Sequence, residues 1–138
     1  MKKSKVKKIL VIVMAITLLC SFTVNAAPRI NPLWDYLIAI SASIDISDNN
    51  IAYIEVDADA DGIDVDKMKA TCSLQKLDGS WKTIKTWTET ESGSTILYDK
   101  TYAVYSGYSY RLKVTVSAYK GNKLLESATE YYDYGYYG

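Results

Sequence analysis

The fold class is decided by the stretch Tyr108-Ser109-Tyr110-Arg111-Leu112-Lys113-Val114-Thr115-Val116-Ser117-Ala118. Every second residue is apolar or aromatic, and the residues between them are polar or charged. Successive side chains of a β-strand point to opposite faces, so this alternation predicts a strand with one buried side. The predicted inward residues are Tyr108, Tyr110, Leu112, Val114, Val116 and Ala118.

The same alternation recurs on both sides of this stretch. It predicts three upstream strands and, after the turn Gly121-Asn122, a last strand over about residues 123–132. The inward residues predicted for the upstream strands are Ile38, Ile40, Ala42, Ile44 and Ile46 in the first, Ala52, Ile54, Val56 and Ala58 in the second, and Met68, Ala70, Cys72 and Leu74 in the third.

Two further strands lie between these segments. Asp78-Gly79 separates two strand-like runs and predicts a hairpin. In the run that follows, Trp81 and Trp87 are in phase while Ile84 is not, which indicates an edge strand or a bulge. Residues 96–104 form a fifth strand or a pair of short ones. Seven short strands separated by turns predict an all-β, antiparallel two-sheet sandwich over residues 36–132.

The two ends of the chain differ from this pattern. Residues 1–26 combine five lysines with an uncharged apolar run and end in Val24-Asn25-Ala26, so they predict a signal peptide, as a signal helix, cleaved after Ala26. An uncleaved membrane anchor and lipidation at Cys20 are the alternatives. Residues 27–35 are a predicted linker. Residues 133–138 are a Tyr-rich tail, either the frayed end of the last strand or a recognition segment.

Charge and composition exclude several classes of function. The chain has 16 basic and 16 acidic residues, and the predicted leader takes five lysines and no acid, so the exported part carries a formal charge of −5. This sign argues against nucleic acid or an anionic membrane as partner. The chain has no His, which removes Ser-His and Cys-His catalysis. We therefore expect no enzyme; a hydrolase with two acids in an apolar cleft is the remaining catalytic alternative.

The acidic run Asp57 to Asp66 contains the spacing of a calcium loop, with Asp57, Asp59 and Asp61 as candidate ligands. Two features favour a solvated acidic edge instead. The twelfth position, normally a carboxylate that gives two oxygens, is Met68. The alternation of the second strand also continues through Asp57 and Asp59, which places both on an outer face.

Aromatic residues are the main candidates for binding. Trp81 and Trp87 are predicted to share one face of an edge strand, and Tyr119 is one of several tyrosines distributed along other strands. Exposed rings of this kind stack on sugars or anchor protein interfaces. The alternative is that both indoles fill the core. Cys72, the one cysteine after the leader, is predicted to be a buried, inert thiol, because its phase is inward.

The segments Leu74 to Trp87 and Gly107 to Tyr119 together resemble a family of small exported proteins of Gram-positive bacteria catalogued as a domain of unknown function. The resemblance implies an immunoglobulin-like or fibronectin-type-III-like sandwich. It also implies a tyrosine near the start of the penultimate strand, Tyr108 or Tyr110, whose hydroxyl ties down the preceding loop. It brings no catalytic residue.

These observations predict a secreted, non-catalytic binding or interaction module. We expect a monomer without cofactor, soluble or loosely associated with the cell wall, whose partner is an extracellular protein or a glycan. The alternative is a carbohydrate-binding module that uses Trp81 and Trp87 as an aromatic platform.

Overall fold

A computed structural model describes residues 27–138, which form seven β-strands. Their bounds are β1 Leu37–Ile46, β2 Ile51–Ala60, β3 Lys67–Asp78, β4 Ser80–Ser92, β5 Thr95–Ala103, β6 Tyr108–Lys120 and β7 Lys123–Tyr137. The predicted signal helix, residues 1–26, lies outside the described residues. Within residues 27–138 no helix is long and apolar enough to cross a membrane.

The strands form two antiparallel sheets. One has the order β1-β2-β5 and the other the order β4-β3-β6-β7. The prediction of an all-β, seven-stranded sandwich is thereby confirmed. The run 96–104, which the sequence left as one strand or two, forms a single strand, β5.

The core lies between the sheets and follows the predicted alternation closely. All the residues predicted to face inward on β2 and β3 are buried, and so are those of β6 from Tyr110 to Ala118. Ile38 is the exception, since it is 53% exposed while its neighbour Leu37 is buried. The pairing shifts between Leu37 and Ala39, so Ile38 occupies a β-bulge and is displaced from the core face. The prediction that Ile38 points inward is therefore wrong.

The hairpin between β3 and β4 turns at Gly79, whose positive φ of 73° suits a glycine. β4 is an edge strand of its sheet and also contains a bulge. Leu74 pairs with Lys85 and Gln75 with Thr83, so Ile84 is the extra residue. β4 thus has both of the features that the sequence offered as alternatives.

Tyr110 is the tyrosine whose hydroxyl is hydrogen-bonded to the loop before β6. Its ring is fully buried. Its hydroxyl donates a hydrogen bond to the carbonyl oxygen of Tyr105 at 2.6 Å and accepts one from the N–H of Tyr105 at 3.1 Å. One side chain thus satisfies both backbone groups of a loop residue. Of the two tyrosines that the resemblance left open, it is Tyr110 that makes this contact.

β7 continues through the segment that the sequence set apart as a tail. Tyr137 pairs with Tyr108, and its hydroxyl donates to Asn50 Oδ1 at 2.7 Å and lies 3.2 Å from the Ser47 carbonyl oxygen. The boundary placed after Tyr132 is therefore wrong for the secondary structure. β6 begins at Tyr108 and supplies unpaired backbone groups alongside residues 133–137, which extend the ladder.

The N-terminal segment is attached to β1 and to β7. Arg29 forms an isolated antiparallel bridge with Ile40. The carboxylate of Glu126 accepts the backbone N–H groups of Asp35, Tyr36 and Leu37 at 2.7–3.1 Å. Burial raises the pKa of Glu126, but these three donors outweigh that effect, so its pKa lies below the usual value of 4.5. The predicted linker thus has ordered contacts.

Glu126 is expected to make stability depend on pH at the acidic end. A group whose pKa is lowered on folding stabilises the fold above its unfolded pKa, and this contribution is lost as pH falls through the lower folded value. We expect Glu126→Gln to lose about 1 kcal/mol at pH 7, since a partly solvated charged acceptor contributes little more. Urea unfolding at pH 7, 4.5 and 3 measures it. A difference between the two proteins that does not shrink below pH 4.5 would contradict this account.

Candidate functional site

The outer surface of the four-stranded sheet is the candidate site, and we call it the ladder face. It consists of the residues of β3, β4, β6 and β7 that point away from the core. These are Lys67, Lys69, Thr71, Ser73, Gln75 and Leu77 of β3, Trp81, Thr83, Thr86, Thr88, Thr90 and Ser92 of β4, Ser109, Arg111, Lys113, Thr115, Ser117 and Tyr119 of β6, and Leu124, Ser127, Thr129, Tyr131, Asp133 and Tyr136 of β7.

Pairs of hydroxyl side chains cross the middle of the ladder face. The pairs are Thr71–Thr88 at 3.0 Å, Ser73–Thr86 at 3.0 Å, Thr115–Thr129 at 2.8 Å and Ser117–Ser127 at 2.9 Å. Each pair joins directly opposed residues of neighbouring strands, which stabilises the sheet. Each hydroxyl keeps further capacity to accept or donate. The middle of the face is therefore a flat array of small polar groups.

Trp81, Arg111 and Tyr131 form an aromatic and cationic cluster at one end of this array. The guanidinium carbon of Arg111 lies 4.2 Å from the centre of the Trp81 ring and 4.5 Å from that of Tyr131. Arg111 Nε donates to Gln75 Oε1 at 2.8 Å, and Gln75 Nε2 donates to Thr83 Oγ1 at 3.1 Å. These contacts hold the three side chains in place before any ligand arrives.

Tyr119 lies at the opposite end of the ladder face. It pairs with Lys67, whose Nζ is 5.0 Å from the centre of the tyrosine ring. Trp81 pairs with Leu77, ten residues further along β3, so the two aromatic ends are about 33 Å apart at 3.3 Å per residue. Trp81 and Tyr119 therefore share a face but cannot contact one small ligand together.

Trp87 lies on the other side of the same sheet. It pairs with the buried Cys72, packs against the core and meets the Tyr102 ring edge-on, with ring centres 6.1 Å apart. The bulge at Ile84 reverses the phase of β4 between the two tryptophans. The prediction that Trp81 and Trp87 share one face is therefore wrong, and so is the alternative that both fill the core.

The candidate calcium ligands do not form a metal site. Within residues 27–138 no three His, Cys, Asp or Glu side chains come together in a way that could hold a metal ion. Asp57 and Asp59 lie on the outward side of β2, and Asp61 accepts the N–H of Ile63 at 2.9 Å. Burial and then the charge of Asp59 raise the pKa of Asp57. The calcium hypothesis thus gains no support from the geometry.

Cys72 is a fully buried free thiol, as predicted. Burial raises the pKa of this thiol to about 12. A thiol needs its deprotonated form to react, so Cys72 is inert while the domain is folded.

Arg111, Gln75 and Tyr131 belong to the site but were not predicted from the sequence. Each is an outward residue of an alternating strand, and in sequence such residues look like ordinary solvent-facing positions. A mixture of Arg, Gln and aromatic residues on the outward side of several strands was the available signal. Only the register of the four strands brings them together.

Comparison with known proteins leaves the resemblance to exported Gram-positive proteins as a prediction. No family model matches the chain, and no curated protein matches it either.

Proposed function

We propose that this chain is a secreted, non-catalytic binding module whose binding surface is the ladder face. The observation that carries the proposal is the Trp81, Arg111 and Tyr131 cluster, a pre-organised set of the residue types that dominate binding energy at interfaces. The partner is extracellular, because the predicted leader directs the chain out of the cell.

We assign the sandwich to the fibronectin-type-III-like alternative. Constant-type immunoglobulin domains place their fourth strand in the sheet that contains the first two. Here β4 instead pairs with β3, so, among the described strands, the sheet that contains β1 and β2 has only β5 as its third strand. The loop-tying contact of Tyr110 supports a relationship to this group of sandwiches.

A glycan is the partner that the ladder face fits best. Sugars present apolar ring faces and many hydroxyl groups, and this surface offers aromatic rings at its ends and paired hydroxyls between them. This second candidate is the carbohydrate-binding alternative with a different aromatic platform. The platform now consists of Trp81 and Tyr131, because Trp87 lies on the core side of the sheet.

The two tryptophans provide a matched test of this site. We expect Trp81→Ala to weaken binding to the organism's own cell-wall fraction about tenfold or more, the effect of removing an interface anchor, and to leave stability within about 1 kcal/mol. Trp87→Ala should lower the free energy of unfolding by about 1–3 kcal/mol, because a half-buried indole leaves the core, and leave binding unchanged. Sedimentation with cell walls and urea unfolding measure the two effects.

Full wall binding by the folded Trp81→Ala protein would contradict the assignment of the ladder face. Absence of wall binding by the unaltered protein, with binding to a protein of the medium that also needs Trp81, would contradict the glycan candidate alone.

A further inference from the structure

The two outer faces of the sandwich carry opposite charges. We call the outer face of the three-stranded sheet the acidic face; its charged residues are Asp45, Glu55, Asp57, Asp59 and Asp99. β1 and β2 contain neither Lys nor Arg. The single cation of β5, Lys100, lies on the side of the sheet that faces β4. Its Nζ forms a salt bridge with Glu89 Oε1 at 2.6 Å. This face is uniformly negative.

The ladder face has the opposite sign. It carries four cations, Lys67, Lys69, Arg111 and Lys113, and a single acid, Asp133. The two salt bridges among residues 27–138 join Lys82 to Asp78 and Lys100 to Glu89, so neither involves these four cations. The exported chain therefore has a net negative charge but one positive face. The prediction from net charge, which argues against anionic partners, does not apply to this face.

The four cations stand in a row along the two central strands. Lys67 and Lys69 are two residues apart on β3, and Arg111 and Lys113 are two residues apart on β6, about 7 Å in each case. Lys69 pairs with Ser117, four residues from Lys113, so about 13 Å separates the two pairs of cations. The hydroxyl pairs lie between and beside them.

We infer that the ladder face binds a linear anionic polysaccharide, a chain of sugars that carry carboxylates, laid along β3 and β6. The cations would pair with its carboxylates, the Ser and Thr hydroxyls with its hydroxyl groups, and the aromatic ends with its ring faces. The acidic face repels the same polymer, so the polymer binds the ladder face and not the opposite side of the sandwich. This inference rests on the proposed function and names the charge of its glycan.

The test uses polygalacturonate as the probe and neutral dextran as its comparison, with protein recovered from the culture medium. Lys69→Gln/Lys113→Gln removes two charges from residues that make no side-chain hydrogen bond or ion pair among residues 27–138. We expect polygalacturonate binding to fall about tenfold or more in this variant and to weaken steeply with salt, since binding by charge releases counterions. Dextran binding should not change.

The control, Lys85→Gln/Lys123→Gln, removes the same charge from exposed lysines outside the ladder face and should change binding less than about twofold. Equal losses in both variants, or equal binding of duplex DNA, would overturn the inference by showing general attraction of polyanions. Binding of a neutral glycan that requires Trp81 but neither Lys69 nor Lys113 would overturn the inference of an anionic glycan. The proposed function would still stand. Self-association at low salt that Lys69→Gln/Lys113→Gln abolishes, without polysaccharide binding, would assign the face to a second copy's acidic face.

Discussion

Replacing Leu112 with Ala is expected to lower the free energy of unfolding by about 2–5 kcal/mol, the usual cost of a cavity in a packed core. Leu112 is fully buried on β6, between Leu74 of β3 and Tyr132 of β7 in the register of the sheet. Domains of this size are stable by about 5–15 kcal/mol, so the loss is a large fraction of the total. Urea unfolding followed by tryptophan fluorescence measures it.

Leu97→Ala is the matched control. Leu97 also lies in a strand, β5, but its side chain points outward and is 66% exposed. We expect a change within about 0.5 kcal/mol, as for other surface substitutions. Similar losses for the two leucines would show that the alternation does not define a buried and an exposed side.

Ending the chain at Tyr132 is expected to cost about 2–4 kcal/mol, because the removed residues are part of the sandwich. Tyr134 and Tyr137 pack against the core, and their rings meet edge-on with centres 6.4 Å apart. The Tyr137 carbonyl also accepts the N–H of Gly107 at 2.7 Å. Thermal unfolding of the shortened protein beside the full one measures the loss.

Tyr136→Ser serves as its control, since Tyr136 is 69% exposed and the backbone of β7 stays in place. This substitution should alter stability by less than about 0.5 kcal/mol. Should the shortened chain unfold at the same temperature as the full one, residues 133–138 would be the tail that the sequence suggests.

The strands were predictable because alternation is a local property. In β2, β3 and β6, the identities of adjacent residues are enough to predict which side chains face the core and which face solvent. The two errors about which face a side chain takes, at Ile38 and at Trp87, both arise at bulges, where one extra residue reverses the phase. The irregular phase of Ile84 indicates a bulge, and a bulge at this position places Trp87 on the opposite face from Trp81.

The candidate site was predictable only in fragments. Trp81 and Tyr119, which the sequence predicts as binding aromatics, lie on the ladder face, whereas Trp87 does not. Arg111 and Tyr131 belong to different strands, and Trp81 to a third, so no spacing in the sequence connects them. Their contact follows from strand order, which depends on how the sheets pack.

By itself the sequence determined that residues 36–132 are all-β, which residues of β2, β3 and β6 face the core, and that Cys72 is buried, since a period of two assigns each side chain to a face. The tertiary structure alone decided which strands lie side by side. That order placed the cations with the hydroxyl pairs on one face and five acids on the other. The reason is physical: the side that a residue takes depends on its own backbone, but its neighbours across a sheet depend on pairing between segments distant in the chain.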